Sequence, residues 1–482
     1  MASIRRNFLY NSLLTVSGYV FPLLVFPYVT RVLGVHNLGI CQFVDSIIQY
    51  FILFSFLGMQ IMATREIAKV RDNNNKLRKT FSSLLSLNLC TTGVALAVLY
   101  CVILVVPKFQ EYKLMLFIGS AKILANTLLV EWFFVGTENF KYITIRSLII
   151  RSLYVICVFI FVHERSDYIL YFTLTVSMFV INAVINTFYV RKCVHFSFRD
   201  LEISKFVKPF IMLGAYQILT SMYTSFNIAY LGFVSGETEV GYYSVATKIY
   251  AILLGIFTAF TSVMLPRMSS LIEQGNIVEF KKKISGSIDV LLSFSMPIIV
   301  MAIMYAPTII SIVAGDGYEG SIIPLRIIIP LMLIIGYEQI IVLQALTPMN
   351  KDRVVLSNSI VGAIVGLLLN ILLVKSYGRI GSSMVWVVSE ISVLLMAQMF
   401  VRRYISLPFP FKKYIQYITG SIPAFAICWL IQINMKEGLF SFIISGLLIC
   451  SYFFLLYVFV LNNNHVQYLI NLLSQKIHFN HS

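Results

Sequence analysis

Residues 81–106 read FSSLLSLNLCTTGVALAVLYCVILVV and contain no charged side chain. A helix of that length crosses a hydrocarbon core of about 30 Å. The run offers water no polar face, so it does not suit a surface helix of a soluble domain. Runs of the same kind recur on either side of it, roughly over 8–30, 38–63, 113–135, 143–162, 168–190, 206–233, 241–265, 286–306, 321–346, 354–374, 380–401, 414–433 and 438–461. Together they predict an all-α polytopic membrane protein with fourteen transmembrane helices. Composition agrees: of 482 residues 59% are hydrophobic and 12% charged, against about 25% charged in soluble domains.

Lys plus Arg number 37 and Asp plus Glu 21, a formal charge of +16. In a soluble chain that excess points to nucleic acid. Here no nucleic-acid partner is expected, because the cations fall in loops and set membrane orientation. With the N-terminus inside, 26 of them lie in inner segments, seven in outer loops and four within spans. That bias puts both termini in the cytoplasm. The longest loops, near 64–80, 191–205 and 266–285, leave no room for a soluble domain on either face. Beyond Asn462, the spacing of Val466, Leu469, Ile470, Leu473 and Ile477 suits a short interfacial helix. The N-terminal apolar run lacks a small-residue cleavage pattern and reads as a first spanning helix. Six of seven cysteines fall inside apolar runs and no C-x-x-C occurs, which argues against a disulfide framework or a zinc site.

An internal repeat is visible. Gly39 follows LGVHNL and Gly241 follows SGETEV, an offset of 202; Arg65 and Arg267 close the same spans at the same offset. Residues 1–200 (spans 1–6) and 201–405 (spans 7–12) therefore read as two lobes inserted the same way up, with 406–482 holding two further helices and a tail. Parallel repeats of this kind are a transporter architecture.

No nucleotide-binding or metal-binding motif occurs, so no cofactor is expected. The driving force is then an ion or proton gradient, or downhill removal of product. Outer loops are too short for a catalytic domain, so an enzyme is disfavoured. Ionisable groups at depth cost roughly 2.5–3.5 kcal/mol each and tend to face cavities. Lys248, Lys122, Asp45 and Glu390 lie deep, Glu131 and Glu338 nearer the inner face, and Arg31, Arg151 and Arg326 near span ends or within spans. Two readings compete. These groups pair with one another, as Asp45 with Lys248 or Glu390 with Lys122, or snorkel to the interface. Alternatively the cations line a cavity for an anionic substrate such as a pyrophosphate, with Lys248 first among them. Pro22, Pro27, Pro297 and Pro330 mark expected bends.

Several segments carry a resemblance: PLLVFPYVTRVLG (22–34), TREIAKVRD (64–72), EWFFVGTENFKYITIR (131–146), SGETEVGYYSVATKI (235–249), LPRMSSL (265–271) and SYGRIGSSMVWVVSE (376–390). The chain resembles the Wzx-type oligosaccharide flippases, the polysaccharide transporters of the superfamily that also holds multidrug extruders and the lipid II flippase. The resemblance implies two six-helix lobes around a central cavity. It implies alternating-access transfer of an undecaprenyl-pyrophosphate-linked repeat unit across the bacterial inner membrane for O-antigen or capsule synthesis, alongside a polymerase and a chain-length regulator. It places cavity cations at Arg31, Lys122 and Lys248, with Arg65 and Arg146 at the inner mouth. Asp45, Glu390, Glu131 and Glu338 remain for coupling or pairing. Val135 stands where many relatives carry Gln, which puts any role of that amide in doubt here. Alternatives are an ion-coupled multidrug exporter of the same fold, a membrane-embedded glycan polymerase or glycosyltransferase, and a scaffold of a glycan-assembly complex.

Overall fold

Every long apolar run becomes a helix, as it must where no water is present to satisfy the backbone. A computed structural model of the protein describes residues 4–197, 201–349, 351–436 and 438–461, and no strand occurs among them. The expected interfacial helix beyond Asn462 lies outside the described residues.

The first half holds α1 (Ile4–Phe56), α2 (Met59–Val70), α3 (Asn74–Val105), α4 (Pro107–Glu111), α5 (Lys113–Leu128), α6 (Glu131–Gly136), α7 (Phe140–Phe161) and α8 (Tyr168–Cys193). Then come α9 (Ile203–Thr224), α10 (Phe226–Ser235), α11 (Glu237–Glu273), α12 (Ile277–Met304), α13 (Ala306–Ala314), α14 (Ile322–Ile328) and α15 (Leu331–Gln339). The chain continues through α16 (Asp352–Leu369), α17 (Lys375–Ile405), α18 (Phe411–Asn434) and α19 (Leu439–Leu455). Three π-helical turns interrupt the α-geometry, at Ile340–Leu346, Asn370–Val374 and Leu456–Val460.

Among the described residues ten helices are long and apolar enough to cross a membrane, or eleven if a pair bent by 43° around Pro330 is one span. The expectation was fourteen. The difference has identifiable sources. Leu9–Val70 and Val354–Ile405 are each continuous by length, yet Gly34 (φ 72°, ψ 170°) and Gly378 (φ 50°, ψ −129°) leave the helical region inside them. The expected seventh span is divided between α9 and α10 at Ser225.

Packing groups the described residues into two compact units, 1–244 with 370–379, and 245–369 with 380–482. This is a different partition from that of the repeat, because α9 and α10 pack against α1 and α2 within the first unit. The core of the first unit gathers Met59, Ile67, Phe81, Leu84, Trp132 and Phe134 around α2, α3 and α6. The EWFF segment is thus chiefly packing: Trp132 and Phe134 are fully buried, and Val135 rests against the same cluster. The second unit is centred on Ile284, Leu291, Tyr337, Ile341, Cys428 and Phe453. There Lys413 of α18 reaches both carboxylate oxygens of Asp289 on α12, at 2.6 and 2.7 Å.

The repeat has a conformational counterpart. Gly236 (φ 92°, ψ 171°) stands 202 residues after Gly34 and adopts nearly the same backbone. Only glycine takes such angles without strain. The helical segments that follow these two glycines meet backbone to backbone within the first unit. A Cβ added to Gly39 would lie 1.8 Å from the Glu237 carbonyl oxygen, and one added to Gly241 would lie 2.2 Å from the Val35 carbonyl oxygen. Val35 and Glu237 are themselves 202 apart, so the contact is reciprocal, as in an isologous interface. His36 Nδ1 lies 3.2 Å from Oγ1 of Thr238, its own repeat equivalent. Ion pairs fasten the surroundings: Lys108 to Glu237 at 2.5 Å, and Arg379 to Glu239, whose Oε2 also accepts the Arg379 backbone N–H at 2.8 Å.

Candidate functional site

Along α1 the residues Gln42, Asp45, Ser46 and Gln49 recur at i, i+3, i+4 and i+7, which places them on one helix face. Gln217, Ser221 and Ser225 do the same at i, i+4 and i+8 along and just past α9. Within the first unit the two stripes border one open cavity of about 400 Å³, with Tyr50, Leu53 and Phe56 completing the wall. The Tyr50 hydroxyl donates to the Ser221 carbonyl at 3.0 Å, which ties the two helices. Amide and hydroxyl side chains are set among aromatic and aliphatic ones in the lining. Such a surface both donates and accepts hydrogen bonds and offers apolar faces.

Asp45 is the cavity's carboxylate, and it is not bare. Lys122 of α5 donates to its Oδ1 at 2.6 Å. The Lys122 side chain is 3% exposed and that of Asp45 29%, so the acid faces the cavity and the cation stands behind it. The ammonium also lies 4.5 Å from the centroid of the Phe179 ring. Within the first unit Asp45 takes Lys122, and within the second Glu390 accepts from the Trp386 indole at 2.9 Å, with the Glu338 carboxyl beside it. Packing brings the first pair together, since α1 and α5 are direct neighbours.

The other expected site residues fall on several helices. Arg31 is exposed on α1 and donates to the Pro27 carbonyl at 2.7 Å. Arg65 is exposed on α2. Arg146 is 5% exposed and bound to Glu131 at 2.8 Å and to the Asn186 side chain. Lys248 lies half-buried on α11, in the second unit. At the cation-rich side, Arg71 pairs with Glu138 at 2.5 Å and Lys79 with Glu202 at 2.8 Å. Lys79 holds the Glu202 carboxyl below the usual carboxylate range. The amide and hydroxyl stripe carries no charge and so does not stand out among the ionisable groups of the spans. Its spacing inside an apolar run was the available signal.

Comparison with known proteins gives a consistent set. Residues 4–272 match the family described as "Polysaccharide biosynthesis protein". A protein of Escherichia coli (strain K12) named "Putative O-antigen transporter" is 27% identical over 409 residues, covering 83% of this chain and 97% of its own. One of the same name from Shigella dysenteriae is 28% identical over 401 residues, covering 81% and 98%. Among solved structures, "Lipid II flippase MurJ, inward closed conformation" superimposes with a TM-score of 0.75 at 16% identity, covering 93% of this chain and 98% of that one. An inward-facing multidrug resistance MATE family transporter of the MOP superfamily gives 0.61 at 13% identity, covering 80% and 94%. The fold is therefore that of polytopic membrane transporters.

Proposed function

The chain belongs to the polysaccharide biosynthesis protein family, and we propose that it is the flippase that carries undecaprenyl-pyrophosphate-linked oligosaccharide repeat units from the cytoplasmic to the outer leaflet of a bacterial inner membrane. The cargo feeds O-antigen or capsule synthesis, where a polymerase and a chain-length regulator act next. The observation that carries this reading is the cavity wall of Gln42, Gln49, Gln217, Ser221 and Ser225. A sugar presents many hydroxyls, each able to donate and accept, on a ring with apolar faces. Amides and serines beside Tyr50 and Phe56 match that chemistry. The relatives named as O-antigen transporters, aligned over four-fifths of this chain, support the same assignment.

The topology belongs to this proposal. Counting the segments on either side of Gly34 and Gly378 separately, the bent pair as one span and α9 with α10 as another, gives fourteen spans with both termini in the cytoplasm. The lobes are 1–200 and 201–405. Lys248, Arg31 and Arg65 are assigned to the anionic end of the cargo. Lys122 and Arg146 hold Asp45 and Glu131 in the resting arrangement. The same pairing disfavours export of cationic drugs, because the cavity carboxylate already has a counter-ion.

Complementation tests the proposal. Expression in a strain lacking its own flippase should restore surface polysaccharide; drug efflux without polysaccharide would overturn it. Lys248→Ala should abolish restoration while the protein still reaches the membrane at normal level, and full restoration would remove Lys248 from the mechanism. Gln42→Ala combined with Gln217→Ala should cut export about tenfold, as expected for two hydrogen bonds of ~0.5–1.5 kcal/mol each. Export rates measured on membrane vesicles would show it.

A further inference from the structure

A second groove lies away from that cavity, between α7 and α8 in the first unit, with a volume of about 490 Å³. One end is apolar: Ile145, Ile149 and Ile185 are exposed there at 43%, 63% and 40%. Exposed isoleucines on a spanning helix face hydrocarbon. The other end is polar and basic. It holds Lys141, exposed, and the first turn of α7, whose leading N–H groups have no partner within the helix. Between the two ends sits Arg146, 5% exposed, whose terminal nitrogens serve Glu131, Asn186 and Ser147 while its Nε has no partner. Tyr142 and Tyr189 stack at 3.8 Å and 10° along the wall.

Lys141 makes that end of the groove positive, and the helix N-terminus adds favourable potential for an anion. The geometry points to a bound anionic phospholipid of the bilayer, its headgroup phosphate between Lys141 and the start of α7 and one acyl chain along Ile145 and Ile149. Basic pockets between spanning helices hold such headgroups. The site shares no lining residue with the cavity of α1 and α9, so it serves as a lipid contact whatever the cargo.

Native mass spectrometry of the full-length protein in detergent tests this. Phosphatidylglycerol should be retained at least fivefold better than phosphatidylethanolamine. Lys141→Glu should erase that preference, and Ile149→Trp, which fills an exposed position, should lower binding of both lipids. Thermal melting of each variant checks that it is folded; if Lys141→Glu is not, Lys141→Gln carries the same test. Equal retention of the two lipids by the unmodified protein, or an undiminished preference in the folded Lys141 variant, would overturn the assignment. Displacement of phosphatidylglycerol by an equimolar polyprenyl phosphate would also overturn it, since the groove would then belong to a carrier lipid.

Discussion

Replacing Asp45 by asparagine should destabilise the protein by about 3–5 kcal/mol, whereas replacing Lys122 by methionine should cost far less. The asymmetry comes from burial. Lys122 is 3% exposed, so removing its carboxylate strands a charge in the interior, which is the expensive way to break a buried pair. Asp45 is 29% exposed toward the cavity and keeps access to water when Lys122 is gone. Methionine also keeps contact with the Phe179 ring. The double variant, Asp45→Asn with Lys122→Met, should recover most of the loss. Melting curves of the four proteins in one detergent would show it. Equal losses in the two single variants would mean that the pair is not the buried, one-sided arrangement described here.

A comparable effect is expected where the two halves of the repeat meet. Gly39→Ala or Gly241→Ala places a methyl group 1.8 or 2.2 Å from a backbone carbonyl oxygen. No side chain can turn aside to relieve that overlap, so the helical segments must separate, at an expected cost of about 1–3 kcal/mol. The contact is reciprocal, so either glycine alone should suffice. Introducing His36→Cys with Thr238→Cys gives a direct reading, since those side chains are 3.2 Å apart. Oxidative crosslinking should be efficient in the parent and fall several-fold when Gly39→Ala is added. Export should fall about tenfold in parallel. An undiminished crosslink would show that the glycines do not set the approach.

How much of this was legible beforehand varies with the physics involved. The spans were readable because hydrocarbon leaves helices little choice, and the run at 81–106 alone points to the class of fold. The breaks were less so. Gly34 lies in an expected turn, but helical geometry persists on both sides of a single residue, so a boundary drawn from hydropathy and one drawn from backbone angles differ. The depth of Asp45 and Lys122 could be counted along the sequence. Their pairing could not, since they are 77 residues apart and the choice of partner depends on which helices touch. Arg146 shows the same limit: its number places it near an inner loop, and only packing reveals that α8 covers it and supplies Asn186. The polar stripes of α1 and α9 needed no structure at all, only attention to neutral side chains.

The π-helical turn at Ile340–Leu346 has a consequence of its own. Such a turn holds one residue more than an α-helix would, and each residue of an α-helix turns the chain by about 100°. The extra residue therefore acts as a phase shifter, resetting the azimuth of everything on one side of it against everything on the other. Gln344, fully buried inside the turn, accepts a hydrogen bond from Ser287 at 2.8 Å, and Glu338 stands beside Glu390 just before it. The wider turn sets the azimuth of the first contact against the second. Deleting a single residue from 340–346 would leave a regular, well-bonded helix whose two ends could no longer both face their partners.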